Sequence, residues 1–262
     1  MIRIESLDDP RVARYRNLKD RELARDGGRF MAEGELILKR LLASDYPVES
    51  IFLDERRAAE MAPLAPPGVP VYVAPAAVCR QIIGHKFQSG ILAVGQRKPF
   101  LTVDQLIERA GERATLVICP EIASAENIGS LIRIAAAFGA DGMLLGERCH
   151  DPFWRQSVRV SMGTIFKLPL GRSENILLDL QRLKETWGFE LVATALDSDA
   201  ESLGNTPRGK RLGILFGNEA QGLDAVSIQA CDRQVTIPMR LGVDSLNVAV
   251  AAGIFLYHFT RT

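Results

Sequence analysis

The chain has 262 residues, 47% of them hydrophobic, with 32 basic and 32 acidic side chains. That much apolar material supports a sizeable core and, by length, about two domains; zero net charge excludes a global field able to hold a polyanion, so any nucleic-acid contact must be local. Four cysteines, Cys79, Cys119, Cys149 and Cys231, form no C-x-x-C pair, which excludes a zinc cluster or disulfide framework and fits a reducing compartment. The charged start M-I-R-I-E-S-L-D-D-P is unlike a signal peptide, and the longest apolar run, residues 248–257, is too short for a bilayer. A soluble, cytoplasmic protein with no membrane partner is expected.

In chain order, Arg11, Arg14, Arg16, Lys19, Arg21, Arg25 and Arg29 predict a polar helix with a basic bias after Pro10. A solvated helix face is the simpler account of those charges, and an RNA surface the functional one. The run F-M-A-E-G-E-L-I-L-K-R-L-L from Phe30 is apolar at helical spacing. Three short β-rich runs follow, E-S-I-F-L-D, V-P-V-Y-V-A and G-I-L-A-V-G, separated by helix-like stretches. Residues 1–97 therefore predict a small α/β domain, and residues 98–112 a linker and first helix. Residues 1–100 hold 16 Lys/Arg against 13 Asp/Glu, a mild basic asymmetry. From Ala114 onward strand and helix alternate: A-T-L-V-I-C-P, a helix after Asn127, D-G-M-L-L-G, a helix over 152–160, F-K-L-P-L, a helix over 174–187, E-L-V-A-T-A-L, R-L-G-I-L-F-G, R-Q-V-T-I-P, and a last helix from near Ser245. Short, continuously apolar strands between helices predict an α/β domain over 113–262, its parallel sheet covered on both faces.

Ligands of such sheets sit beyond the carboxyl ends of the strands, so the residues just after each strand carry the most information. Three of these loops stand out. In the first, Asn127 and Ser130 sit among small residues at a helix start and Arg133 lies between apolar Ile132 and Ile134; Asn127 could simply cap the helix and Arg133 face water. In the second, G-N-E-A-Q-G-L, Gly217 and Gly222 allow close backbone approach and Glu219 is a carboxylate at the sheet edge, unless it is only a solvent-facing residue of a glycine turn. In the third, I-P-M-R-L-G-V-D-S-L-N-V, Ser245 is a good N-cap, and Asn247, if buried in the apolar helix that follows, needs a hydrogen-bond partner.

Together, N-I-G-S-L-I-R at 127–133, G-N-E-A-Q-G-L at 217–223, and I-P-M at 237–239 with S-L-N at 245–247 resemble, in order and spacing, the three motifs of the SpoU (TrmH-like) RNA 2′-O-ribose methyltransferases of the SPOUT class. The N-terminal half is more loosely similar to that family's RNA-binding domain, through F-M-A-E-G at 30–34 and F-Q-S-G-I-L-A-V at 87–94. The resemblance implies a deep trefoil knot in the C-terminal domain, which general topology rules would never suggest. It implies S-adenosylmethionine as cofactor, leaving as S-adenosylhomocysteine, with no metal. Gly217, Ile237 and Leu246 would contact that cofactor. Asn127, Arg133, Glu219, Ser245 and Asn247 would be catalytic, Arg133 gripping a phosphate and stabilising the developing alkoxide rather than acting as a literal base, since a guanidinium stays protonated. It further implies a homodimer through the knotted domain and a structured RNA substrate, ribosomal RNA favoured over transfer RNA, with Arg155, Arg159 and Lys167 extending the RNA surface. The competing classes are a non-catalytic RNA-binding or assembly protein, against which the full set of motif residues speaks, and a nucleotide-dependent oxidoreductase or NTPase. The latter lacks both G-x-G-x-x-G and G-x-x-x-x-G-K-[ST]. His85, His150 and His258 show no ligand spacing.

Overall fold

The computed structural model describes the chain except for residues 7, 17–22, 25–27, 84–88, 198 and 262. It divides into two compact units, Met1–Pro99 with Pro152–Lys167, and Phe100–Asp151 with Leu168–Thr262.

The first unit carries strands β1 (Ile2–Arg3), β2 (Arg29–Glu33), β3 (Val48–Asp54), β4 (Val71–Ala74) and β5 (Ile91–Gln96), in the spatial order β1-β4-β3-β5-β2. The β1–β4 and β3–β4 pairs are parallel, and β5 runs antiparallel to both β3 and β2. Helices α1 (Ala13–Arg16), α2 (Glu35–Leu42), α3 (Glu55–Met61) and α4 (Ala76–Ile83) connect them. Of the polar helix expected after Pro10, the described residues show a 3-10 turn, Pro10–Val12, and α1 over Ala13–Arg16. Lys19, Arg21, Arg25, His85 and the Phe87–Gln88 start of the second N-terminal match lie outside the described residues.

The run from Phe30, read as helical throughout, opens as strand β2, and the helix starts only at Glu35. Gly34, at φ 102, makes the break, and an apolar run this short is locally compatible with either state until a partner strand pairs with it. Alternation along β2 then serves two cores. Met31 joins Tyr15, Phe52, Leu92 and Val94 on one side, while Phe30 stacks with Tyr46, Phe153 and Phe166 at ring separations of 5.3 to 6.0 Å. Phe153 and Phe166 come from the 152–167 segment, which contains helix α7 (Arg155–Val160). The sequence places this segment inside the 113–262 domain; the structure packs it with the N-terminal unit.

The second unit is built on β6 (Ala114–Cys119), β7 (Gly142–Leu145), β8 (Leu170–Arg172), β9 (Glu190–Thr194), β10 (Glu201–Ser202), β11 (Arg211–Leu215) and β12 (Arg233–Thr236). Their order is β10-β12-β9-β11-β6-β7-β8, and every pairing is parallel, as the apolar runs predicted. All six residues of β6 are buried. Each fully buried Leu, Val or Ile side chain contributes about 1.5 to 3 kcal/mol. One cluster joins the sheet to α5 (Val103–Ile107) and α8 (Ile176–Glu185) through Leu106, Ile176, Leu180 and Leu183. Helix α6 (Ala125–Ala137) buries Ile128, Leu131, Ile132 and Ala135 at i, i+3, i+4, i+7 spacing and packs on the last helix, α10 (Val248–Thr260). Helix α9 (Ala225–Ala230) follows the second motif loop. The expected strand at F-K-L-P-L shrinks to β8, one residue of that run plus Gly171 and Arg172. The last helix begins at Val248 rather than near Ser245. Among the described residues no helix is long and apolar enough to cross a membrane.

Candidate active site

Because all seven strands of the second sheet point the same way, the loops after β6, β11 and β12 emerge at one edge, and the three motifs meet there. Ser124 caps α6, its hydroxyl accepting from the Asn127 amide, so Asn127 is freed from the capping role the sequence left open to it. Its side-chain amide is held at both ends. Asn127 Nδ2 donates to Glu219 Oε1 at 2.8 Å, and Asn127 Oδ1 accepts from Asn247 Nδ2 at 3.0 Å. Glu219 also accepts from the backbone amides of Ala123 at 3.2 Å and Ser124 at 3.0 Å, donors that the start of a helix leaves without intrahelical partners. Desolvation of this carboxyl pushes its pKa up, but the Asn127 and backbone hydrogen bonds outweigh it, and Glu219 titrates below its ordinary value of 4.5. It is an anion at neutral pH.

Ser245, read as a good N-cap of the last helix, yields that role to Asn247, an exposed residue whose Oδ1 accepts from the Ala249 amide at 2.9 Å at the start of α10. The correction has a plain cause. An N-cap needs non-helical backbone, and Asn serves there as well as Ser; the residue that completes the constellation also starts the helix.

Beside this constellation opens a cleft of about 370 Å³. Gly217, Ile237 and Leu246 line it, as do Glu219, Ser245 and Asn247. Gly217 tolerates no side chain, since a Cβ there would lie 2.2 Å from the Gly222 carbonyl carbon. Gly222 itself sits at φ +71, where glycine is favoured. The apolar walls come from Leu196, Phe216, Ile237, Met239, Leu246 and Phe255. Thr194, which ends β9 and donates its hydroxyl to the Leu215 carbonyl, and Ala195 and Leu196, which follow at the same sheet edge, escaped the sequence reading; the rule that pointed to the other loops applies here too, but Ala195 and Leu196 carry no polar signature.

Arg133 stands apart. It is exposed on α6 and, among the described residues, makes no hydrogen bond or ion pair with the Asn127, Glu219 and Asn247 set or with any other group. Six residues separate it from Asn127, which turns it about 120° around the helix.

A model of the SpoU rRNA Methylase family matches residues 114–257. An uncharacterised tRNA/rRNA methyltransferase of Mycobacterium bovis is 37% identical over 263 aligned positions, covering 97% of this chain and 90% of its own. Among solved structures, the AdoMet-bound rRNA methyltransferase of Sinorhizobium meliloti is similar with a TM-score of 0.84 at 26% identity, covering 99% of this chain and 97% of that one. The SpoU methyltransferase AviRb of Streptomyces viridochromogenes, in complex with AdoMet, gives 0.81 at 26% identity over 97% of this chain and 98% of that one. The match spans the whole parallel sheet and all three loops, and the chain belongs to the SpoU rRNA Methylase family.

Proposed function

We propose that the protein transfers a methyl group from S-adenosylmethionine to a ribose 2′-hydroxyl of a structured RNA in the cytoplasm, with ribosomal RNA preferred to transfer RNA. The observation that carries this reading is the hydrogen-bonded set Glu219, Asn127 and Asn247 at the mouth of the cleft. The cleft fits the cofactor. Its volume lies within the roughly 300 to 1,000 Å³ of small-molecule sites, its walls offer apolar side chains for an adenine, and Gly217, Ile237 and Leu246 border it.

When bound, S-adenosylmethionine supplies a methyl group activated by a cationic sulfonium. The chain's own residues hold the acceptor. Asn127, fixed at both ends of its amide, cannot rotate, so the second Asn247 N–H is left in a defined place to orient a ribose, with the Ser245 hydroxyl lining the same cleft. Glu219 is a poor base, because its charge is already stabilised by three N–H donors; it orients the amides instead. Arg133, without a hydrogen-bond or ion-pair partner among the described residues, is available to a phosphate of the RNA and to the negative charge developing on the ribose oxygen.

The knotted threading and the homodimer belong to the same reading. Val250, Ile254 and Tyr257 expose apolar surface along α10, a face suited to a second copy of the chain. The N-terminal unit, with Arg155 and Arg159 on α7, would hold the RNA, with a steep loss of affinity as salt rises.

The test is transfer of radiolabelled methyl from S-adenosylmethionine to total RNA of cells lacking the protein, followed by size fractionation and digestion to nucleosides. Label in a 2′-O-methylnucleoside of ribosomal RNA, lost in Arg133→Ala, is expected. Label on a base overturns the ribose assignment, and label confined to transfer RNA overturns the substrate. No label together with no cofactor binding favours a non-catalytic RNA-binding protein.

A further inference from the structure

A second set of polar contacts joins the same loops from the side away from Asn127. Glu121, which follows β6, accepts from Asn218 Nδ2 through Oε1 at 3.1 Å. Asn218 Oδ1 accepts in turn from the amides of Ala220 at 2.9 Å and Gln221 at 3.3 Å. Its backbone exchanges two hydrogen bonds with Gly222, of 2.9 and 2.8 Å, closing the glycine loop on itself. Arg148, in the loop after β7, spans two carboxylates, Glu121 Oε2 at 3.0 Å and Asp224 Oδ2 at 2.9 Å. Asp224 is also the N-cap of α9, accepting from the Ser227 amide at 2.8 Å.

The two loops are thus strapped reciprocally. The first reaches across with a carboxylate, Glu121, to the side chain of Asn218. The second reaches back with the neighbouring residue, Glu219, to the amides of Ala123 and Ser124 and the side chain of Asn127. Neither Glu121 nor Arg148 lies in the three motif segments, and neither lines the cleft. Both border a separate polar recess behind Gly217 and Gly222.

We infer that Glu121 and Arg148 are positioning residues that fix the Gly217–Gly222 loop, and through it the Glu219 carboxylate and the cleft wall. The inference rests on the cleft being the cofactor site. Its physical basis is that a loop with two glycines has a large conformational entropy to lose, and one hydrogen bond from Glu219 per donor does not hold both of its faces. Arg148 is suited to the task because its fork engages two different carboxylates at once, which a lysine ammonium on a flexible stem does less well.

The test is calorimetric titration with S-adenosylhomocysteine, together with methyl-transfer kinetics and hydrogen exchange at the Ser124 and Gly222 amides, on wild type, Glu121→Ala, Glu121→Gln and Arg148→Met. Glu121→Ala should bind S-adenosylhomocysteine about tenfold more weakly and lose more than that in kcat, because a small displacement of a positioned group is costly. Glu121→Gln keeps an acceptor for Asn218 and should recover most of the affinity, with Arg148→Met intermediate. The Gly222 amide should exchange about tenfold faster in Glu121→Ala while amides of β6 keep their protection. Unchanged affinity, kcat and exchange in Glu121→Ala would overturn the inference. So would equal losses in the Ala and Gln variants, which would mean that charge rather than the strap matters. If the wild type itself fails to bind S-adenosylhomocysteine, the cofactor reading falls, and the exchange rates alone decide whether the strap exists.

Discussion

The two sheets of this protein use their loops differently. In the N-terminal unit β5 reverses against β3 and β2, so its connections are distributed between both ends of the sheet. Many of its charged pairs are local, as with Arg11 on Asp9 and Arg56 on Asp54, each two residues apart. In the C-terminal unit every strand is parallel, and side chains 92 and 120 residues apart in sequence hydrogen-bond to one another. The N-terminal unit has long-range pairs as well, such as Arg155 on Glu33, but they are not gathered at one strand end; strand direction accounts for that difference. A parallel sheet delivers all its strand-end loops to one edge, where polar groups can converge without being buried in the core; a mixed sheet spreads them.

Substitutions can break this contrast or sharpen it. The largest effect is expected in the N-terminal unit: Phe30→Ala removes the ring shared by Tyr46, Phe153 and Phe166 and should cost about 3 to 5 kcal/mol of stability, read by denaturant unfolding. Affinity of the folded protein for S-adenosylhomocysteine should persist; its loss would mean that the cleft depends on that aromatic cluster. Glu219→Ala should act mainly on the reaction, lowering kcat/KM by about a hundredfold through the freed Asn127 amide, with a smaller loss of about 0.5 to 1.5 kcal/mol of stability for its hydrogen bonds. Gly217→Ala should weaken cofactor binding and cost about 1 to 3 kcal/mol of stability, the usual range for a forced overlap, because its methyl meets the Gly222 backbone. The smallest effect concerns acid. The folded-state pKa of Glu219 is depressed, so its contribution is complete above 4.5 and is lost only as pH falls through the lower folded value. Cofactor affinity should therefore be flat from neutrality down to about pH 5, and a limb near pH 6 would show that another group controls the loop.

Much of the C-terminal unit was legible because its strands are short, apolar and followed at once by the informative residues. Gly217, Glu219, Ile237, Ser245, Leu246 and Asn247 all line one cleft; the strand-end rule pointed to Gly217, Glu219, Ser245 and Asn247, whereas Ile237 and Leu246 were singled out only by the family resemblance. Several features were not legible, for different reasons. The β2 run from Phe30 fits a helix or a strand until β5 pairs with it. Asn247 as N-cap depends on where the backbone leaves the loop, which periodicity cannot resolve within a turn. The strap through Glu121 and Arg148 is a property of tertiary placement that no spacing in the chain encodes, whereas the separation of Arg133 from Asn127 follows from their six-residue offset once both are on one helix. The assignment of residues 152–167 to the N-terminal unit belongs with these, since its cause is the pairing of Phe153 and Phe166 with Phe30, more than a hundred residues away.

That last segment has a consequence for modularity. The chain passes from one unit to the other at 99–100, again at 151–152, and back at 167–168, so no single cut separates them. A fragment ending at Pro99 would leave Phe30 and Tyr46 without two of their ring partners, and a fragment beginning at Phe100 would carry Phe153 and Phe166 as exposed apolar surface. Recombination that swaps the N-terminal unit between proteins of this architecture must therefore carry two non-adjacent pieces of gene together, the second, residues 152–167, being only sixteen codons long.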